Sequence, residues 1–478
     1  MQIRSGLFIV ALLLAFQGFG QFHEPPPFSQ KLYERINNDS LSPLKIESLV
    51  ISGNRKTKRY IIEREVLLKQ GDSIKPMRLD DLVKRSQSLV YNTGLFTGVN
   101  IIPELTGSDD LLIRVEVKEK WYIYPTPQFQ LVDRNFNDWV RNHDADLDRV
   151  IYGVKFQHFN FSGRRDVVRV FLLNGYTRNI TASYSNPYSN SDLTEGFQVT
   201  GSFSKTRETS YRTSSGNKQV FYNNGKFVKD QFTIGGAYTM RRGYYTRHTV
   251  GASLNYLDVD DSITSHLNPG YYNSQHRRLY PEFTYSFQFT DVDNTAYPLK
   301  GIAFYSTALK KGLEPDGGIN MFEVESGVSF FKPHGKNWYT AFSLAGKLKL
   351  PFDQPYINRN ALGYRELYLR GLENYVIDGH AAFVGRYTLR KKILAFSVPV
   401  PFNIRILPSI PFAFYAKTYA DAGYSASNWN YTRLNNRFLY SGGFGLDILS
   451  LYDFTLKLEY SFNQLGENGL FLHTKGGF

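Results

Sequence analysis

The chain of 478 residues contains no cysteine. A disulfide scaffold, thiolate metal sites, a cysteine nucleophile and a lipoprotein anchor are all excluded. Beyond the first 20 residues no apolar run approaches the roughly 18 residues of a membrane-spanning helix. The GxSxG elbow, the HExxH pair and the Walker loop are also missing. The nine histidines are scattered, with no ligand pair at helical spacing. No enzymatic activity, cofactor or metal site is expected. A Ser/His pair assembled from distant segments, as in an outer-membrane lipase, stays open. The densest acid–histidine patch, His143 with Asp144, Asp146 and Asp148, reads as a polar loop or a weak cation site.

What is abundant is aromatic: 34 Tyr and 37 Phe, with Phe, Tyr and Trp together 16% of the chain. Mean hydropathy is nevertheless −0.35. Many aromatics at low hydropathy suit a transmembrane β-barrel, in which only one face of each strand meets lipid and aromatic girdles mark both interfaces. A soluble all-β protein is the competing reading. The formal net charge is +13. Lys and Arg are spread along strands rather than clustered, which fits a polar lumen or acidic lipid head groups and gives no reason to expect nucleic acid.

Residues 1–20 read as a signal peptide. Arg4 gives the positive start, Leu7 to Phe16 the short apolar core, and Gly18 and Gly20 the small residues before cleavage at Gln21. Residues 21–43, with Pro25 to Pro27 and a polar tail, read as a linker or a loosely ordered arm. Residues 44–120 read as a small α/β domain: a strand over 46–53, a helix capped by Thr57 with Tyr60, Ile61, Val66 and Leu67 as apolar contacts, and a helix over 79–91. Leu79, Leu82, Val83, Ser86, Leu89 and Val90 line one side of that second helix. Two strands follow, 96–105 and 111–121.

From about residue 125 to 478 strand-like segments recur. In 338–350, Trp338, Thr340, Phe342, Leu344, Leu348 and Leu350 alternate with a face carrying Lys347 and Lys349. In 454–462, Phe454, Leu456, Leu458, Tyr460 and Phe462 alternate with Thr455, Lys457, Glu459 and Ser461. Strands of this length match a tilted membrane crossing, and lipid demands that such a sheet close. Within this region YLRGLENYVIDG (368–379) is not strand sequence. Gly371 and Gly379 permit unusual backbone, and Arg370 brings a permanent charge that needs a carboxylate or water. Alone, it reads as an exposed loop; within a barrel, it is expected to tuck into the lumen.

GNRKTKRYII (53–62), YNTGLFTGV (91–99) and LLIRVEVKEK (111–120) resemble a POTRA domain, a module that binds extended segments by adding a strand to its sheet edge. Four further stretches resemble the BamA/TamA superfamily of outer-membrane proteins. TDVDNTAYPLKGIAF (290–304) carries an Asp-rich turn with Asp291, Asp293, Pro298 and Gly301. YLRGLENYVIDG resembles the loop-six signature, with Arg370, Gly371 and Glu373, and Leu372 where the family has an aromatic. YADAGY (419–424) supplies Asp421 and Gly423. The last strands end on Phe478, a terminal aromatic that fits a sorting signal. The resemblance implies a POTRA domain in the periplasm and a barrel of sixteen strands in the outer membrane. It also implies that Arg370 pairs with a wall carboxylate: Asp421 is the first choice, and Glu373 a support or competitor.

The implied function is assembly or insertion of outer-membrane proteins, with a client strand passing from the POTRA edge to a weakly paired seam between first and last barrel strands. Partners would be unfolded outer-membrane or secreted proteins, outer-membrane lipids and accessory lipoproteins. The alternatives are a translocator of one secreted or surface protein and a structural subunit of an outer-membrane complex. Translocators of the family commonly carry two POTRA domains and a plug helix, and residues 21–43 look too polar for a plug.

Overall fold

The computed structural model describes residues 28–131, 146–314, 319–364, 367–399, 409–429 and 432–475. Gly20, Gln21, His143, Asp144 and Phe478 lie outside them.

The N-terminal domain runs α1 (Gln30–Asn38), β1 (Leu44–Ser52), α2 (Arg59–Glu63), β2 (Ser73–Ile74), α3 (Leu79–Tyr91), β3 (Phe96–Leu105) and β4 (Asp110–Glu119). Its sheet has the order β2-β1-β4-β3. The spacing of apolar residues on α3 buries Leu79, Val83, Ser86, Leu89 and Val90. They join Ile46, Ile101, Leu111, Ile113 and Val115 from the sheet in one core. Asp80 and Asp81 in the first turn of α3 complement the helix dipole.

Three expectations need correction. Thr57 does not cap α2, whose N-cap is Lys58 without a side-chain bond. The Thr57 hydroxyl is buried instead, 3.1 Å from the Tyr122 hydroxyl, and accepts from Asn160 Nδ2 at 2.9 Å. Tyr60 points outward, 38% exposed, while Ile61 and Ile62 enter the core. The linker reading of 21–43 fails for 30–38, which is helical. The Ser29 hydroxyl accepts from the Leu32 N–H, Leu32 is fully buried against the domain core, and Arg35 Nε donates to Asp109 at 2.8 Å. An amphipathic turn of helix was hidden by the polar composition around it.

The rest of the chain forms one antiparallel sheet of sixteen strands. It comprises β5 (Ile123–Leu131), β6 (Val150–Phe159), β7 (Val167–Gly175), β8 (Thr177–Asn186) and β9 (Glu195–Thr206). A side hairpin of β10 (Thr209–Thr213) and β11 (Gln219–Tyr222) follows. The wall continues through β12 (Lys229–Arg242), β13 (Thr246–Val259), β14 (Arg277–Val292), β15 (Gly301–Lys311), β16 (Met321–Pro333) and β17 (Trp338–Leu350). The short pair β18 (Asn360–Leu362) and β19 (Ile377–Asp378) interrupts it. It then resumes with β20 (Ala381–Pro399), β21 (Ser409–Ala426), β22 (Phe438–Leu449), β23 (Thr455–Asn463) and β24 (Asn468–Lys475). Each wall strand pairs with the next wall strand in sequence. The side hairpin and the helical turns at 263–271 converge in a second apolar cluster containing Leu257, Ile263, Tyr271 and Tyr356.

Alternation decides which way the sheet faces. Phe342, Leu344, Leu348 and Leu350 stand outward at 41–45% exposed, whereas Lys349 is 2% exposed on the inner side. On β23, Phe462 is outward and Glu459 and Ser461 are buried inward. Apolar residues outside and charges inside invert the soluble pattern. No helix among the described residues is long and apolar enough to cross a membrane.

Candidate functional site

The long connection between β17 and β20 turns into the barrel. Leu367, Leu369, Leu372 and Ile377 pack with Ala382 and Val384 of β20 and with Leu434 and Leu439 in a buried cluster. Leu372, standing in place of an aromatic, is 3% exposed and fills its site. This apolar anchor positions Arg370. Asp421 Oδ2 accepts from the Arg370 backbone N–H at 3.0 Å and from Nε at 2.9 Å, and Oδ1 accepts from Nη2. Nη1 donates to the Thr388 hydroxyl at 3.0 Å, and the guanidinium lies 4.0 Å from the Tyr419 ring centroid. Arg370 is 8% exposed and Asp421 3%. A bidentate pair with its spare donors used is the geometry in which a buried ion pair is tolerated. Gly371 has φ +84°, and a Cβ there would lie 2.8 Å from Ser461 Cβ. Its carbonyl accepts from Asn463 Nδ2 of β23 at 2.8 Å. At Gly423 a Cβ would lie 2.8 Å from the Phe383 carbonyl and 3.0 Å from Leu369, so glycine there makes room for the loop. Glu373 does not compete for Arg370; it points to His473, 3.4 Å away.

The Asp-rich turn joins β14 to β15 at the end of the barrel nearest the N-terminal domain. Asp293 Oδ1 accepts from the Leu299 and Lys300 N–H groups at 3.0 and 3.1 Å. Asp291 pairs with Ile302 across the ladder, and Gly301 opens β15. The turn sends Tyr297 inward, where its hydroxyl donates to Asp447 at 2.7 Å and its ring sits 4.6 Å from the Arg390 guanidinium. The Pro298 carbonyl accepts from Arg390 Nη1 at 3.1 Å.

A second arginine–carboxylate lock was not expected. Glu65, just after α2, is 1% exposed and receives both Nη1 and Nη2 of Arg241, at the end of β12. The Tyr188 hydroxyl donates to Glu65 at 3.1 Å and accepts from Arg241 at 2.8 Å. Burial would raise the Glu65 carboxyl, but the Arg241 guanidinium, with Arg64 and Arg165 beyond it, holds it below the usual carboxylate range. Other contacts continue around the rim. Lys58 N–H donates to the Gly163 carbonyl at 2.9 Å, and Arg165 Nε to the Thr93 carbonyl at 2.7 Å. Asn92 Nδ2 donates to the Val292 carbonyl at 3.0 Å, while Tyr91 and Lys120 reach Asp453 at 2.7 and 2.8 Å. Burial, reinforced by Asp453, pushes the Tyr91 phenol up. The N-terminal domain is thereby docked across the barrel mouth.

The sheet ends at β5 and β24, and among the described residues no ladder joins them. Alternate residues of a strand direct their backbone groups to opposite neighbours. The Tyr122 carbonyl accepts from Phe159 N–H at 2.8 Å, and β5 pairs with β6 in unbroken register. Even-numbered positions of β5 therefore face β6, and odd-numbered positions face the gap. Pro125 and Pro127 are both odd-numbered, so the edge of β5 lacks the N–H at both. β5 and β24 are 9 and 8 residues long, against 19 and 18 for β20 and β21.

The sequence model for POTRA, a surface-antigen variable-number repeat, matches residues 44–120. The chain carries a POTRA domain followed by a sixteen-stranded antiparallel barrel sheet. The outer membrane protein assembly factor BamA of Neorickettsia risticii (strain Illinois) is 33% identical over 81 residues. That match covers 17% of this POTRA-plus-barrel chain and 10% of the relative, so the chain spans about a tenth of the length of the curated relative it matches. The structure of CdiB from Escherichia coli superposes with a TM-score of 0.53 at 13% identity, over 90% of this chain and 75% of CdiB, and shows the fold. The crystal structure of BamA from Haemophilus ducreyi lacking POTRA domains 1–3 has a TM-score of 0.47 at 14% identity, over 91% and 84% of the two chains.

Proposed function

We propose that the protein lies in the outer membrane with its POTRA domain in the periplasm and inserts or assembles other outer-membrane proteins at the gap between β5 and β24. The observation that carries the reading is that gap. Backbone groups exposed along a sheet edge are a template for another strand, and Pro125 and Pro127 remove the donors β5 needs to pair regularly with β24. A client hairpin would pair first with β24, whose outer edge has no partner among the described residues. The free edge of β3 in the POTRA sheet offers an earlier docking place for the same extended segment. Unfolded outer-membrane proteins are the proposed clients, the bilayer the destination and accessory lipoproteins the helpers. Strand exchange of this kind needs neither a nucleotide nor a catalytic residue.

The Arg370 loop packs inside the lumen and POTRA crosses its mouth, which favours the lateral route over translocation through the pore. The absence of native cysteine permits a direct test. Cysteines introduced at the outward-facing Phe129 and Leu470 and bridged by a short bis-maleimide should abolish client insertion into proteoliposomes, while each single-cysteine variant keeps it. Full insertion by the bridged protein would overturn the reading.

A further inference from the structure

Glu373, Glu459 and His473 come from the in-turned loop, β23 and β24, and their ligand atoms all lie within 4.8 Å of one another. His473 Nε2 stands 3.4 Å from Glu373 Oε1 and 3.3 Å from Glu459 Oε2. Both oxygens of Glu373, and Nε2 of His473, are shielded from solvent and have no hydrogen-bond partner. A buried carboxylate left in that state is costly unless a cation meets it. Lys417 is already shared between Asp447 and Glu459 Oε1. Arg370 is taken by Asp421.

The two His473 distances suit an ion held between the groups. Zinc holds imidazole nitrogen and carboxylate oxygen at about 2.0–2.2 Å in a tetrahedron, whose edges are then about 3.3–3.5 Å. The two His473 distances are edges of that length. We propose that Glu373, Glu459 and His473 form a site for a divalent ion of the zinc class, with a fourth position left for water. The ion would neutralise the orphaned Glu373 carboxylate and pin the last strand and its neighbour to the in-turned loop. The metal therefore braces the β24 side of the gap from within. The site stands independently of the assembly reading, since it needs only the three side chains.

The test is titration of tag-free, detergent-folded protein with Zn2+ alone by calorimetry, and with Co2+ alone by visible absorption. The expected result is one saturable Zn2+ site and a Co2+ ligand-field spectrum of tetrahedral intensity. Outer-shell partners of a metal site are worth about 10–100-fold in affinity, so losing a ligand should weaken Zn2+ by at least about 100-fold in His473→Ala and in Glu373→Gln. Both variants are checked for folding by heat-modifiable migration, and the Co2+ spectrum of the unaltered protein stands if either fails to fold. No stoichiometric Zn2+ binding, an octahedral Co2+ spectrum, or unchanged affinity in folded His473→Ala overturns the proposal.

Discussion

Two buried arginine–carboxylate pairs hold this protein in shape, one inside the barrel and one at its mouth. Arg370–Asp421 fastens a loop inside the lumen, and Arg241–Glu65 fastens POTRA across the mouth. Both are bidentate, and both give spare donors a second partner. They differ in what surrounds them. Arg370 lies beside a buried apolar cluster within one continuous wall. Glu65 sits at a joint between two bodies, beside a water-accessible cavity of about 720 Å³ lined by Asp81, Arg85, Arg247 and Asp291. A charge stranded in the first place is enclosed by the wall and the loop; one stranded in the second borders that cavity.

The largest effect should come from the lumen pair. Removing one partner of a buried pair costs about 3–5 kcal/mol, so Asp421→Ala should cause a large fall in the urea midpoint of the barrel and abolish its heat-resistant migration. Arg370→Ala should do nearly as much; an unchanged midpoint in either would contradict the lock. Glu65→Gln should cost about 2–3 kcal/mol and act differently. The barrel should keep its heat resistance, while protease cleavage between POTRA and β5 becomes faster. If the two locks are separate bodies, Arg370→Ala combined with Glu65→Gln should be additive within about 0.5 kcal/mol in unfolding.

Acid should separate them further. Because the folded Glu65 carboxyl lies below its usual 4.5, its contribution is fully present above about pH 4.5 and is lost as pH falls through the lower folded value. POTRA release measured by proteolysis should therefore rise only at acid pH, and Glu65→Gln should flatten the profile. The smallest effects belong to the second partners. Thr388→Val in the lumen and Tyr188→Phe at the dock should each cost about 1 kcal/mol, by equilibrium unfolding and by POTRA release respectively.

The two locks were unequally legible. Arg370 could be singled out because Arg-Gly followed by an acid and a second glycine breaks a strand pattern, and Asp421 because it sits in a short motif 51 residues later. Glu65 lies 176 residues from Arg241, in REVLLK, where the only signal is an acid inside an otherwise buried run. Tyr188 and Asp453 lie in turns that carry no motif. The metal-ligand set was equally hidden: a loop and two strands contribute one residue each, so no spacing rule joins them. The α1 helix was missed because one buried leucine in a polar stretch is too weak a period to detect.

What the chain determined by itself is the local alternation. Side chains of a strand point to opposite faces with period two, so Phe342 and Lys347 are assigned to opposite sides by position alone. The same chemistry made Pro125 and Pro127 donors of nothing wherever they stood. Which neighbour those prolines would fail was decided only by register, through one hydrogen bond from Phe159 to Tyr122. Tertiary structure likewise decided that POTRA crosses the mouth and that His473 meets two glutamates. Such contacts are made between residues far apart in sequence, and nothing local can specify the partner.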